Sequence, residues 1–144
     1  MIESLKTKDE VMLAPQTVTD GATVTANLDC VGADWAKINV LCSAEESTHA
    51  ANSTISLSES DDTVVTNFAT VTANTSLDLT ASKQQRFEVD LRGRKRYLRL
   101  SFTAGTTTGG DVDVAAVASL GRLAQGPGST SDMVASTSDG VTVV

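Results

Sequence analysis

Aromatic side chains are scarce in this chain of 144 residues, which has one Trp, one Tyr and three Phe. A hydrophobic core must therefore be built from Val, Leu, Ile and Ala, and such a core suits a thin sandwich of two β-sheets. Sites for sugars and for nucleic-acid bases commonly use exposed aromatic rings as stacking platforms. With Trp35 and Tyr97 as the main candidates, the composition disfavours both kinds of site.

Cysteine is nearly absent, with two residues in the whole chain. Cys30 and Cys42 fall in segments predicted to be neighbouring strands, but a tight turn near Gly32 would place Cys30 opposite a residue near Trp35 instead of opposite Cys42. We therefore expect two free, buried thiols that act as small apolar side chains, as is usual in a reducing cytoplasm.

Residues arranged for catalysis or metal binding are also missing. His49 is the only histidine and lies in a polar loop, so no Ser-His-Asp set, Cys-His set or zinc spacing can form. Glu88 and Asp90 share the solvent face of one strand beside arginines, which excludes them as paired catalytic carboxylates. The acidic turn at residues 59–62 lacks the spaced oxygen ligands and the glycine of a dedicated calcium loop. We predict no enzyme and no catalytic, metal or cofactor residue.

Long apolar runs are absent as well. No segment approaches the uninterrupted apolar length that a membrane span requires, and the N-terminal MIESLKTKDE has no apolar stretch flanked by basic residues. We expect neither membrane insertion nor secretion.

The formal net charge of −7 disfavours general binding to nucleic acid, because a phosphate backbone selects a basic surface. The basic residues are nevertheless concentrated. Seven of the eleven lie in one short window that holds only two acids: Lys83, Arg86, Arg92, Arg94, Lys95, Arg96 and Arg99. We predict a local positive patch on an acidic molecule, able to dock a partner of matching polarity.

The segment QRFEVDLRGRKRYLRLSFT, residues 85–103, contains two alternating apolar runs. The apolar residues of each run lie two apart and so share one face of a strand: Phe87, Val89 and Leu91, and then Leu98, Leu100 and Phe102. Between the runs, Gly93 can adopt a positive φ. We predict an antiparallel hairpin with a short, basic tip.

Four cations crowd that tip: Arg92, Arg94, Lys95 and Arg96. One interpretation is a docking surface, because a partner's carboxylates would relieve the repulsion between the cations. The other is a solvated turn whose arginines meet local acids such as Glu88 and Asp90.

The same alternation of apolar residues, with a period of two, predicts a second hairpin, formed by residues 22–30 and 36–44 around Gly32. The later segment also fits a helical period, but five matches to the strand period and the β-branched Ile38 and Val40 favour a strand. Four more elements follow: a short strand from Ile55, a strand over residues 63–73, a brief strand or turn at Leu77 and Leu79, and a last core strand over residues 111–120. In the strand over residues 63–73, the uneven spacing of the anchors Val65, Phe68 and Val71 predicts a bulge near Asn67.

The chain divides into three parts. Residues 1–20 show no sustained period and form a predicted extended N-terminal arm, whose apolar patch includes Val11 and Leu13. Residues 21–121 are the sandwich domain. Residues 122–144 are a Gly/Ser/Thr-rich tail that cannot bury enough apolar surface to offset its ordering entropy. The last four residues, 141–144, are either a β-prone end that adds to a neighbour's sheet edge or a frayed terminus.

The fold class predicted from these patterns is all-β. About eight strands, at spacings of roughly ten residues with polar turns between them, indicate a single-domain antiparallel β-sandwich with a jelly-roll topology.

Four segments of the sequence resemble small structural proteins from the head-gene clusters of tailed bacteriophages, the decoration or cement proteins. They are ADWAKINV, STISLSESDD, FEVDLRGRKRYLRLSFTAG and DVDVAAVASLGR, and the resemblance spans about residues 22–122. Its most telling parts are KRYLRLSF and VAAVASLGR. The long tail departs from the pattern and fits a phage tail or receptor-binding component instead. A carbohydrate-binding or adhesion sandwich is a further alternative.

The resemblance implies a jelly-roll-like protein of the capsid exterior, made in the host cytoplasm, that binds the lattice of the major capsid protein, often as a homotrimer. Neither nucleic acid nor membrane is an expected partner. An acidic sandwich of this kind stays soluble and gains affinity by multivalent contact with a repeating surface. The residues predicted to contact partners come from the arm and the basic tip: Val11, Leu13, Arg92, Arg94, Lys95 and Arg96.

Overall fold

The computed structural model describes residues 7–44, 53–106, 111–122 and 140–143 of the chain. These ranges contain nine β-strands and one short 3-10 helix, Val65–Asn67. The strands are β1 (Thr7–Val18), β2 (Thr23–Asp29), β3 (Trp35–Cys42), β4 (Ser53–Ser60), β5 (Ala69–Leu77), β6 (Lys83–Asp90), β7 (Tyr97–Thr103), β8 (Val112–Gly121) and β9 (Gly140–Val143).

The strands form two sheets. The first has the order β1-β8-β3-β6-β9 and the second has the order β2-β7-β4-β5. Every pair among β1 to β8 is antiparallel, and β9 joins β6 in parallel. The predicted all-β sandwich is therefore confirmed.

The strand pairing is nested along the chain. β4 pairs with β5, β3 with β6, β2 with β7, and β1 with β8, so the chain folds back on itself as one long antiparallel ribbon. Successive strand pairs along this ribbon lie alternately in the second sheet and in the first. Within the first sheet, β3 with β8 joins the two pairs, and within the second sheet β4 with β7 joins them. The jelly-roll topology, a double-sheet arrangement of eight strands, stays a prediction.

The core lies between the sheets and is made almost entirely of aliphatic side chains. β8 shows the pattern most plainly, because its inner residues are all buried: Val112, Val114, Ala116, Ala118 and Leu120. β6 and β7 contribute Phe87, Leu98 and Phe102, which are fully buried. At about 25 cal/mol per Å² of apolar surface removed from water, such burial is the main stabilising term of the fold.

The predicted hairpin at residues 85–103 is wrong in its pairing, although both strands and their apolar faces are correct. β6 lies in the first sheet and β7 in the second, so their side chains meet across the core instead of side by side. A period of two identifies the buried face of a strand but not its neighbour. The six residues between the strands, 91–96, bury Leu91 and cross from one sheet to the other. Gly93 does adopt a positive φ, of 81°.

The predicted hairpin of residues 22–30 and 36–44 is wrong for the same reason. β2 pairs with β7, whereas β3 pairs with β6 and β8 in the other sheet. The expectation for the two thiols is confirmed, since Cys30 and Cys42 are free and buried. Burial raises the pKa of each thiol to about 12, which leaves both protonated and unreactive near neutral pH.

The predicted N-terminal arm differs most from the structure. From Thr7 onward it is β1, an edge strand of the first sheet that pairs with β8. Two register shifts, between Val11 and Leu13 and between Leu13 and Gln16, break the alternation that a regular strand would show. The shifts let consecutive residues Met12 and Leu13 both turn into the core, which hid the strand from a search for strict period two.

The segment after β4 is irregular, as the sequence predicted, but its anchors differ. Val65 is 70% exposed in the 3-10 helix and is no core residue. Register shifts occur instead between β4 and β5, where the Thr72 hydroxyl accepts a hydrogen bond from the Leu57 amide at 3.0 Å. This side-chain contact satisfies a buried backbone donor at the shift.

The predicted C-terminal tail begins at residue 122, and the described part of it is β9. Gly140 to Val143 lie beside Gln85 to Glu88 of β6. The end of the chain thus adds to a sheet edge, as one of the two interpretations proposed, but the edge belongs to its own chain. The loop with His49 lies outside the described residues.

Candidate docking surface

Three loops meet at one end of the sandwich: residues 30–34, 61–68 and 91–96. They follow from the register of both sheets, because Asp29, Tyr97 and Ser60 are aligned in one row and Trp35, Asp90 and Gly121 in another. We call this surface the loop end. It contains the predicted basic tip, so the tip is placed among two other loops and is not an isolated hairpin.

Three of the tip cations contact a carboxylate that the fold brings to them. Arg92 Nη2 lies 2.5 Å from Asp90, and Arg96 Nη2 lies 2.7 Å from Asp29. Arg94 Nη1 lies 3.6 Å from Glu59. The fourth cation, Lys95, donates its backbone N–H to the same Glu59 carboxylate at 3.4 Å.

Hydrogen bonds from these arginines lower the pKa of two carboxyl groups. Arg92 donates through its side chain and its backbone N–H to Asp90 and holds the pKa of that carboxyl at about 2. The Arg96 guanidinium, which forms two hydrogen bonds to Asp29, holds the pKa of Asp29 below its usual range. The same bonds raise the pKa values of Arg92 and Arg96.

A third carboxyl at the loop end organises its own loop. Asp62 accepts hydrogen bonds from the Asn67 side chain at 2.8 Å and from the Val64 amide at 2.9 Å, and these lower its pKa. The acidic turn is thus tied to the 3-10 helix by its own carboxylate.

The pairing agrees with the solvated-turn interpretation of the basic tip, in which its arginines meet local acids. Of the two local acids named from the sequence, Asp90 does pair with a tip arginine, whereas Glu88 lies 3.3 Å from Arg86 on β6. Asp29 and Glu59 were missed because they are distant in sequence from Arg96 and Arg94. The sequence does show that Asp29 and Glu59 each lie near the end of a predicted strand. That position indicates a contact with the basic tip only when the order of the strands in the sheet is known.

The loop end also exposes apolar side chains. Val31, Val64 and Val65 are between 53% and 70% exposed, and they lie in the loops that flank the basic tip. Beside Val31, a groove of about 350 Å³ is bordered by Thr7, Asp29 and Arg122. The Arg122 guanidinium Nε donates a hydrogen bond to the Gly32 carbonyl and so closes one side of this groove.

A second apolar patch lies on the outer face of the first sheet. Val11 and Val117 are register partners on β1 and β8, and Leu41 lies nearby on β3; the three are between 41% and 64% exposed. Val11 is therefore exposed, and its contact with a partner stays a prediction. Leu13 is not available to a partner, because it is 6% exposed in the core.

One of the seven clustered cations is buried. Arg99 is 8% exposed on the outer side of β7, where its guanidinium stacks 3.8 Å from the centroid of the Phe68 ring. Its Nε donates to Asn27 Oδ1 at 2.8 Å. Phe68, predicted to anchor the core, thus covers the outer face of the second sheet instead.

Within the described ranges, no cluster of three or more His, Cys, Asp or Glu side chains is arranged for a metal ion. The same residues contain no helix with the length and apolar character needed to cross a membrane.

Comparisons with known proteins identify no family. No family model matches the sequence, and no curated protein matches it. A chain in the structure of infectious bursal disease virus, strain Gx, is similar to this one, with a TM-score of 0.48 and 9% identity. The similarity covers 80% of this chain but only 31% of the viral chain, and a likeness of this extent does not identify a function.

Proposed function

We propose that this chain is a non-enzymatic structural protein of a virion, which binds and stabilises the outer surface of a bacteriophage capsid. The observation that carries this proposal is the position of the two segments most similar to phage decoration proteins. KRYLRLSF contributes most of β7, an inner strand of the second sheet, and VAAVASLGR contributes most of β8, an inner strand of the first. The resemblance therefore concerns the framework of the sandwich and not its loops.

The surface chemistry is compatible with a protein whose role is to adhere. The charged groups of the loop end are largely satisfied within the chain, and the exposed valines lie among them. Apolar centres with a polar, partly exposed rim are typical of protein interfaces. We propose that the loop end contacts the capsid lattice, mainly through Val31, Val64 and Val65, with the basic tip at the rim.

Capsid binding is tested by mixing the purified protein with empty capsids of a tailed bacteriophage whose genome encodes this chain. Cosedimentation and particle images should show saturable occupancy of the outer surface, and decorated shells should resist heating better than bare ones. Occupancy of isolated tails but not of capsids would favour the tail component instead. Binding to neither would refute the virion role.

The contribution of the loop end is tested with two sets of substitutions. Val64→Ser combined with Val65→Ser should reduce occupancy strongly, since it removes the exposed apolar contact. Arg92→Ser, Arg94→Ser and Lys95→Ser together should weaken binding less and flatten its dependence on salt. Thr25→Ala, at an exposed residue of β2 that belongs to neither apolar patch, is the matched control. Unchanged occupancy with both sets would place docking elsewhere.

We further propose that the protein is a homo-oligomer, specifically a trimer, because association would cover its exposed apolar patches. Light scattering of the purified protein should give a mass above that of one chain, and a strict monomer at high concentration would count against this proposal.

A further inference from the structure

The two edges of the first sheet are built differently. At one edge, β1 is interrupted by two register shifts and contains Pro15 within the second of them, features that discourage another strand from pairing. At the opposite edge, β6 is regular and pairs with β3 along all eight residues without a shift. β6 therefore presents a straight row of backbone donors and acceptors on its outer side.

This outer row is where β9 binds. Gly140 to Val143 pair in parallel with Gln85 to Glu88. Main-chain hydrogen bonds of this kind give affinity to any extended segment that fits the edge, whichever chain supplies it. The regular edge and its short added strand thus have the form of an acceptor and a donor.

The connection to β9 is long for the distance that it spans. Gly121 ends β8 three strands away from β9, and Gly140 lies beside Gln85, five residues along β6 from Asp90. Strand spacings near 4.8 Å and a rise near 3.3 Å per residue make this a separation of roughly 22 Å. The intervening residues 122–139 can extend to roughly 60 Å. The β6 edge of an adjacent copy is therefore within reach.

The strand order is compatible with a donor from another copy. β3 and β6 separate the end of β8 from the acceptor edge, whereas a segment of a neighbouring copy comes from outside the sheet. The pairing between β6 and β9 is the same whether β9 comes from the same chain or from a neighbouring copy. Close packing of copies raises the effective concentration of the neighbour's β9 and so favours exchange.

We propose that the outer edge of β6 is a strand-acceptor site that binds the C-terminal strand, Gly140–Val143, of a neighbouring copy, so that copies of this chain are joined by exchanged strands. The inference requires two copies within reach and does not depend on the identity of any lattice they bind.

Cross-linking between register partners tests this site. Arg86 and Val141 are partners across β6 and β9, so a disulfide between cysteines there requires the parallel pairing. Replacing Arg86 removes its ion pair with Glu88 at 3.3 Å, a contact within β6 on which the pairing with β9 does not depend. The native thiols are buried and should not contribute.

In the decisive experiment, full-length R86C protein is mixed with full-length V141C protein and oxidised. Neither variant can close a disulfide within its own chain at this position, so a mixed dimer on a non-reducing gel can arise only from strand exchange. We expect the mixed dimer to exceed, at least several-fold, the dimers formed by either variant alone. A mixture of R86C with V143C, displaced by two residues along β9, is the matched control.

Two results would overturn the proposal. If the R86C and V141C mixture gives no more dimer than the displaced control, while the R86C/V141C double variant closes within single chains, β9 binds only its own edge. If the double variant forms no disulfide within or between chains, β6 is not the acceptor. Failure of capsid binding would affect neither result, so the two proposals can be judged separately.

Discussion

The interior of the sandwich and its loop end are stabilised by different kinds of interaction. The interior is an aliphatic layer whose residues are buried by position within each strand. The loop end consists of paired charges, such as Arg96 with Asp29, which are half-exposed and come from strands far apart in sequence. The comparison teaches that stability is concentrated in the interior, while the loop end can change without loss of the fold.

The largest effect should follow removal of residues 1–14, because this deletes two thirds of β1, including Met12 and Leu13 of the core, and uncovers β8. We expect the truncated protein to lose its cooperative unfolding transition, measured by circular dichroism during heating. Val11→Ser, in the same strand but exposed, should keep it. A truncated protein that melts like the full chain would show that β1 is dispensable.

The next largest effect should come from shortening a single side chain in the interior. Phe102 is completely buried between the sheets, so Phe102→Ala should lower the free energy of unfolding by about 3–5 kcal/mol. Val65→Ala, at a residue that is mostly exposed, should change it by less than about 0.5 kcal/mol. Denaturant titration of both variants measures the difference, and equal losses would remove the distinction between interior and loop end.

Arg99 tests the comparison between the interior and the loop end directly, because it is a charged residue that is as buried as a core residue. Arg99→Ala should cost about 1–2 kcal/mol, from the lost contact with the Phe68 ring and the lost hydrogen bond to Asn27. Arg92→Ala, at an exposed pair, should leave the melting temperature nearly unchanged. If both variants melt alike, the stacking of Arg99 contributes nothing.

The smallest effect should be the acid dependence of the loop end. Asp90 has a folded pKa of about 2 against an ordinary value of 3.8, so its pairing stabilises the fold fully above about pH 5 and is lost as the pH falls towards 2. Asp29, with its pKa also lowered, acts in the same direction. Melting temperatures between pH 6 and pH 2 should fall less for Asp90→Asn than for the wild type. Parallel curves would contradict this assignment.

Much of the interior could be predicted from the sequence. Regular strands such as β8 and β3 alternate strictly, so their buried residues were identified without knowledge of any partner. The pairing could not be predicted in the same way. Alternation specifies a face, whereas the neighbour of β6 depends on how residues 91–96 cross between the sheets. β1 was missed because its two register shifts break the alternation.

The loop end was harder to predict, because its contacts are made between elements. The cluster of cations was visible in the sequence, and so was the chance that local acids would neutralise it. The partners Asp29 and Glu59 become neighbours of the tip only when β2, β4 and β7 are aligned in one sheet. The exposed valines at this end had no pattern to distinguish them from core residues, and Val65 was mistaken for one.

The nested ribbon has a consequence for the order in which the protein folds. β4 and β5 join residues 10 to 24 apart in sequence, whereas β1 and β8 join residues 94 to 114 apart, and loop-closure entropy makes such distant pairings late and slow. We expect folding to start at the β4–β5 hairpin, to proceed outward through each successive pair, and to finish with β1. Until that last step, β8 is an open edge at which a nascent chain is prone to aggregate.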